Sequence, residues 1–193
     1  MTHWINYIIL LILTGGLFLF VLADSRKLIS IAFGLICVVS FSINVQFWSI
    51  GFSLSKLISG LIALLLLNFS PLIKEEIYFG ESGAGRIFRA AMLAFWIILI
   101  LFTYQKMSTV FLMSNDQLLA ALFILICGLV QLGLSKDTFR VILGLLTLLL
   151  GFEIIYGTLE KSLLVNGLLA VVNLLIALVG SYLLNYRLQE EEE

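Results

Sequence analysis

Between Arg140 and Glu160 lie 19 residues with a single charge, Glu153. About 20 apolar residues suffice for an α-helix to cross a bilayer. The stretch Thr138–Leu159, TFRVILGLLTLLLGFEIIYGTL, therefore reads as a spanning helix with a carboxyl group inside it. Placing a carboxylate in hydrocarbon costs roughly 2.5–3.5 kcal/mol on insertion scales. Such a group faces protein or water, finds a partner, or holds a proton. Two roles fit it. One is a proton-relay or ion-coupling carboxylate. The other is a structural acid, paired with a Lys or Asn of a neighbouring helix or close enough to the interface to stay wet. Glu153 lies about two turns, roughly 9–10 Å, from the turn at Glu160.

The rest of the chain makes a soluble fold untenable. Hydrophobic residues are 62% and charged residues 12% of 193, against about 25% charged in soluble domains. The net charge of −1 argues against nucleic-acid binding. Cys37 and Cys127 both sit in apolar runs and read as buried apolar residues rather than a disulfide or metal site. The single histidine, His3, cannot build a metal or haem site alone. No nucleophile–base pair, metal set or cofactor motif appears, so no cofactor and no catalytic activity of its own are expected.

Seven spanning helices are expected, at about 4–23, 28–47, 54–73, 87–104, 117–134, 138–159 and 163–186. The first has no Lys or Arg ahead of it and 20 apolar residues, which favours an uncleaved span over a signal peptide. Trp48 fits an interfacial anchor. The polar segment 74–89 reads as a flexible connector whose Arg86 and Arg89 sit at the membrane surface. Its glycines, from Gly80 to Gly85, match no phosphate-binding fingerprint. Residues 105–116 read as a loop, and 187–193 as a solvated acidic tail.

Eight of the Lys and Arg residues fall on one side of this arrangement: Arg26, Lys27, Lys74, Arg86, Arg89, Lys136, Arg140 and Arg187. Lys56, Lys106 and Lys161 fall on the other. The positive-inside rule then places the N-terminus outside and the C-terminus in the cytoplasm, with a bacterial inner membrane as the expected location.

The first three helices resemble the last three. Ser25-Arg26 aligns with Ser135-Lys136, and Gly34-Leu35 with Gly144-Leu145, at an offset of 110. After a three-residue slip, Leu57, Gly60-Leu61 and Ala63 align with Leu164, Gly167-Leu168 and Ala170; Gly16-Leu17 matches Gly128-Leu129 with a further slip. The expected organisation is a three-helix repeat over 1–73, a cytoplasmic loop, linking helix and outer loop over 74–116, a second, parallel repeat over 117–187, and an acidic tail over 188–193. Parallel repeats occur in transporters, with sites at the repeat interface. Lys56 enters the membrane from the same side as Glu153, so the two can lie at similar depth and pair. Such a pair can be purely structural or one link in a charged relay. Asn166 and Asn173 are polar positions inside the last span.

The segment Leu150-Gly151-Phe152-Glu153-Ile154-Ile155 resembles the glycine–apolar–glutamate pattern in the second helix of the K subunit of respiratory complex I. The short basic turn before it, Lys136 to Arg140, fits as well. The same module occurs in the C subunit of Mrp-type antiporters and the E component of membrane hydrogenases. The resemblance lies mainly in residues 117–186. It departs from the pattern twice: Asn173 stands where the family has a second membrane glutamate, and Glu153 is farther from the basic turn. The resemblance implies a small non-redox subunit of an ion-translocating complex, binding no cofactor and partnered by other integral membrane subunits and the lipid bilayer. The alternatives are a self-contained transporter or channel, with Glu153, Lys56, Asn173 and Asn166 along its path, and a purely structural or assembly protein.

Overall fold

The computed structural model describes residues 2–46, 49–69, 83–111, 113–160 and 162–192. Trp48, Pro71, Lys74, the start of the glycine-rich stretch and Lys161 lie outside them. The described residues form an all-α membrane protein of seven helices: α1 (Thr2–Leu22), α2 (Arg26–Asn44), α3 (Ile50–Asn68), α4 (Gly83–Phe111), α5 (Asn115–Leu134), α6 (Thr138–Leu159) and α7 (Leu163–Glu192). Six are long and apolar enough to span a bilayer, and the described side chains of α1 add the apolar stretch Asn6–Leu22.

Short polar residues set the helix starts. The Ser25 hydroxyl accepts from the Leu28 amide at 3.3 Å, and the Asp137 carboxylate from the Arg140 amide at 3.0 Å. Each satisfies one of the amides a helix start leaves without an internal partner. Ser114 does the same for α5 through Gln117.

Helices α3 and α4 start about four residues earlier than the sequence reading, at Ile50 and Gly83, so residues 83–89 are helix rather than connector; two helix ends also run on. Residues 105–111 are not loop but the last turns of α4, and 187–192 continue α7. Neither stretch holds a Gly or Pro. Gln, Lys and Glu are good helix formers, so polarity alone does not end a helix that leaves the membrane.

The bundle is built from two antiparallel hairpins, α1–α2 and α5–α6. The hairpins meet through α1 beside α5, while α3 packs along α7 and α4 lies against α5. Asn6 donates to the Asp116 carboxylate at 2.7 Å, and the Cys127 thiol points at the Leu17 carbonyl at 3.8 Å. Both pairs are 110 residues apart, so α1 and α5 run parallel and in register. Helices α5 and α6 bury over half of their apolar spans, whereas α4 and α7 show most of theirs. Phe88, Phe95 and Phe102 of α4 and Leu164, Leu168 and Leu175 of α7 are exposed at one- or two-turn spacing. Exposed apolar faces of this length suit acyl chains rather than water.

Candidate functional site

Three of the four residues singled out in the sequence meet at one place. Glu153 comes from the last two turns of α6, Lys56 from the second turn of α3 and Asn173 from the middle of α7. The Asn173 side-chain amide donates to Glu153 Oε1 at 2.8 Å. The Lys56 ammonium lies 3.7 Å from Glu153 Oε2 and donates to the Glu153 backbone carbonyl at 3.0 Å. Exposure is 1% for Glu153 and 5% for both Lys56 and Asn173.

Packing of small residues makes the meeting possible. The buried side of α3 is Ser53, Lys56, Ser59, Gly60, Ala63 and Leu67. Its small members let α3 come close to α2 and α7: a methyl on Gly60 would stand 3.0 Å from the Cys37 sulfur. Asn173, Ala177, Gly180 and Leu184 continue one buried stripe down α7. Gly180 admits the Ile142 side chain of α6 so closely that a methyl there would lie 2.8 Å from it. The charged pair thus sits where α3, α6 and α7 converge, with its hydrogen-bonding capacity turned inward. In a low-dielectric setting the mutual attraction of such a pair offsets desolvation only when further hydrogen bonds help. The Asn173 amide and the Glu153 carbonyl supply two.

Asn166, the fourth residue, does not join this group. It donates to the Ser55 hydroxyl at 3.2 Å, bridging the first turn of α7 and the second turn of α3. Beside that bridge is a cleft of about 380 Å³ between the two helix starts, lined by Ser49, Gly51, Phe52, Ser55, Asn166 and Gly167 among others. Sequence reasoning passes over Ser55. Its place directly before Lys56 is the available signal.

A second polar group lies at the opposite end of the bundle, where the basic turns are. Arg140 is 1% exposed, and its guanidinium donates to the Ala23 carbonyl at the end of α1. Asp24 lies 3.9 Å from Arg140 and 2.9 Å from Arg86. Arg26 stacks over the Phe139 ring at 5.2 Å. Arg89 is also buried and donates to the Leu134 carbonyl, the end of α5, at 3.1 Å. Arginine near a helix C-terminus satisfies carbonyls that have no internal partner and matches the dipole. Arg89, expected at the membrane surface, is therefore at a helix end but enclosed by protein; Arg86 is half-exposed.

Among the described residues no group of three or more His, Cys, Asp or Glu gathers to hold a metal. Cys37 and Cys127 are both free thiols and buried. No protein-family model, curated protein or solved structure matches the chain.

Proposed function

We propose that this chain is a small non-redox membrane subunit of an ion-translocating complex, moving protons or exchanging sodium for protons, in which Glu153 transfers protons. The observation that supports this reading is the Lys56–Glu153–Asn173 group, two opposite charges and an amide enclosed inside the apolar spans. Ionisable groups at that depth are costly, and functional sites are where membrane proteins keep them.

The chemistry follows from the pair. When the Glu153 carboxylate takes up a proton, the Lys56 ammonium loses its counter-charge. It can then release one of its protons onward, leaving a neutral amine. Transfer of the Glu153 proton to that amine restores the pair, and one proton has advanced. Asn173 holds Oε1 in place during the exchange. The proposal includes a bacterial inner membrane, an outside N-terminus and a cytoplasmic C-terminus, from the Lys and Arg distribution. It also includes descent of α1–α3 and α5–α7 from parallel repeats. The short turns and Ser25 and Asp137 caps favour such a repeat, with the α6 cap two residues later than the 110-residue offset implies.

The test is proton movement in liposomes carrying the chain with whatever proteins co-purify in mild detergent, followed with a pH-sensitive dye. Glu153→Gln should lower the rate at least tenfold while the variant still assembles. Equal rates for Glu153→Gln and the parent would make the pair structural and overturn the reading. A second reading, a self-contained transporter, is favoured by the cleft at Ser55 and Asn166. Sustained transport by the chain purified free of partners would select it.

A further inference from the structure

We infer that the Lys56–Glu153 pair exchanges protons with one side of the membrane through water held between α2 and α3 by Asn44 and Ser53. This deepens the proposed function by naming the route to its site; the use of the route rests on that reading, its existence does not.

One face of α2 sets the seam. Ser30, Cys37 and Asn44 recur at seven-residue intervals and so share a face. The first two show what that face meets. Ser30 donates to the Asn68 side chain of α3 at 3.0 Å, and a methyl on Gly60 of α3 would stand 3.0 Å from the Cys37 sulfur. The helices therefore run antiparallel, and Ser53, seven residues before Gly60, is the α3 position opposite Asn44. Lys56 lies about one turn from both Ser53 and Gly60, on the buried side of α3. Helix α2 also touches α6, and the charge of Glu153 acts on the Cys37 thiol, so the pair lies beside this face of α2.

The polar atoms of the seam are not spent on one another. Asn44 is 1% exposed, and its amide donates at 3.4 Å to the hydroxyl of Ser40, which is buried as well. The Asn44 side-chain oxygen, Oδ1, has no partner. Ser53 is 0% exposed, and its hydroxyl reaches the Ser49 carbonyl only at 3.5 Å, the outer limit of a hydrogen bond. Buried polar atoms bond to protein or to ordered water. An orphaned amide oxygen opposite a weakly bonded hydroxyl gives water the partners it needs. Solvent is near, because Gln46 and Ser49, exposed at the adjoining helix ends, are about one turn or less from Asn44 and Ser53.

The seam is polar only on this side of the pair, toward the end of the bundle opposite the basic turns. Beyond Lys56 the thiol–glycine contact closes it, and Phe33, Ala63 and Leu67 fill the turns that follow. The seam thus meets the pair at Lys56, the member that releases a proton in the proposed exchange. Water at Asn44 takes that proton and passes one outward. Asn44 and Ser53 orient the water and keep their own protons.

Infrared spectroscopy of the reconstituted chain tests the link between seam and pair. In Lys56→Met at mildly acidic pH, Glu153 carries a proton. Its C=O stretch is identified by its loss when Glu153→Gln is added, and it shifts when D2O replaces H2O. The rate of that shift measures how readily water reaches Glu153. Adding Asn44→Leu, or separately Ser53→Ala, should slow it at least tenfold. Adding Ser42→Ala, at the same depth of α2 but off this face and bonded to the Val38 carbonyl, should leave it unchanged. Equal rates with and without Asn44→Leu and Ser53→Ala mean that water arrives by another path. No exchange in Lys56→Met means that none arrives, and equal slowing by Ser42→Ala means that the face is not special; any of these overturns the inference. Slowing confined to Asn44→Leu and Ser53→Ala, together with proton flux that ignores Glu153→Gln, would leave the route standing and remove the proton-transfer reading instead.

Discussion

The α1–α2 and α5–α6 hairpins look alike on paper and are held together differently. In α1–α2 the contact is made by side chains: Phe20 and Phe33 rings lie 6.4 Å apart, and Gly16 opposes the far end of Leu35. In α5–α6 the backbones themselves touch. A methyl on Gly151 would lie 2.6 Å from the Leu125 amide nitrogen, and one on Gly128 would run into the backbone of Leu148 and Gly144. Small residues allow this close approach, and in lipid, dispersion between well-fitted surfaces is a main source of helix association. The consequence is positional. The tight hairpin is a stiff frame that presents Glu153, while Lys56 and Asn173 arrive on the two outer helices, α3 and α7. The ion pair thus ties the outer helices α3 and α7 to the tightly packed hairpin.

Cutting that tie should have the largest effect. Lys56→Ala leaves the Glu153 carboxylate enclosed without its cation and should cost about 3–5 kcal/mol of stability. Thermal unfolding in detergent would show it. The paired change Lys56→Met with Glu153→Leu should recover most of that loss, since an apolar pair of similar size needs no compensation. No recovery would mean that the pair is more than a tie of opposite charges.

Next come the arginines that close the hairpin ends. Arg140→Ala removes the charged donor to Ala23 and should cost about 1.5–3 kcal/mol, with α1 fraying first in hydrogen exchange. Arg89→Ala should act alike on the end of α5. Fraying of α5 should be the smaller of the two, because the backbone contact with α6 holds it.

The glycines separate the hairpins most directly. Gly151→Ala should lower stability by about 1–3 kcal/mol, because the atoms it meets are backbone and cannot swing aside. Gly16→Ala should cost well under about 1.5 kcal/mol, because the Leu35 side chain can change rotamer. Equal losses at both sites would erase the contrast. The smallest expected change is a gain: Gly15→Ala, with nothing within 4 Å, should stabilise α1 by about 0.5–1 kcal/mol through helix propensity.

Much of this is legible in the sequence where the physics is local. Hydropathy marks each span because a helix satisfies its own backbone, and the lipid needs only a long apolar run. Glu153 stands out because a charge in such a run is expensive wherever its partners are. Lys56 can be matched to it because counting crossings puts both near the same end. The ends of α4 and α7 escape the sequence for the complementary reason: polar residues leave the membrane without leaving the helix, so a hydropathy edge is not a helix edge.

What the chain by itself determined is the run of apolar spans, the short polar turns near Ser25 and Asp137, and the nearness in depth of Lys56 and Glu153. All of these depend on residue type and distance along a helix. Only the tertiary structure decided that Asn173 joins the pair while Asn166 turns to Ser55, that Arg140 and Arg89 are swallowed by helix ends, and that α5 and α6 touch through Gly128 and Gly151. Those outcomes depend on which faces oppose each other and how closely. In a bundle whose helices are apolar on nearly every side, no periodicity names the facing side; the small residues and hydrogen-bond partners of the neighbouring helix do.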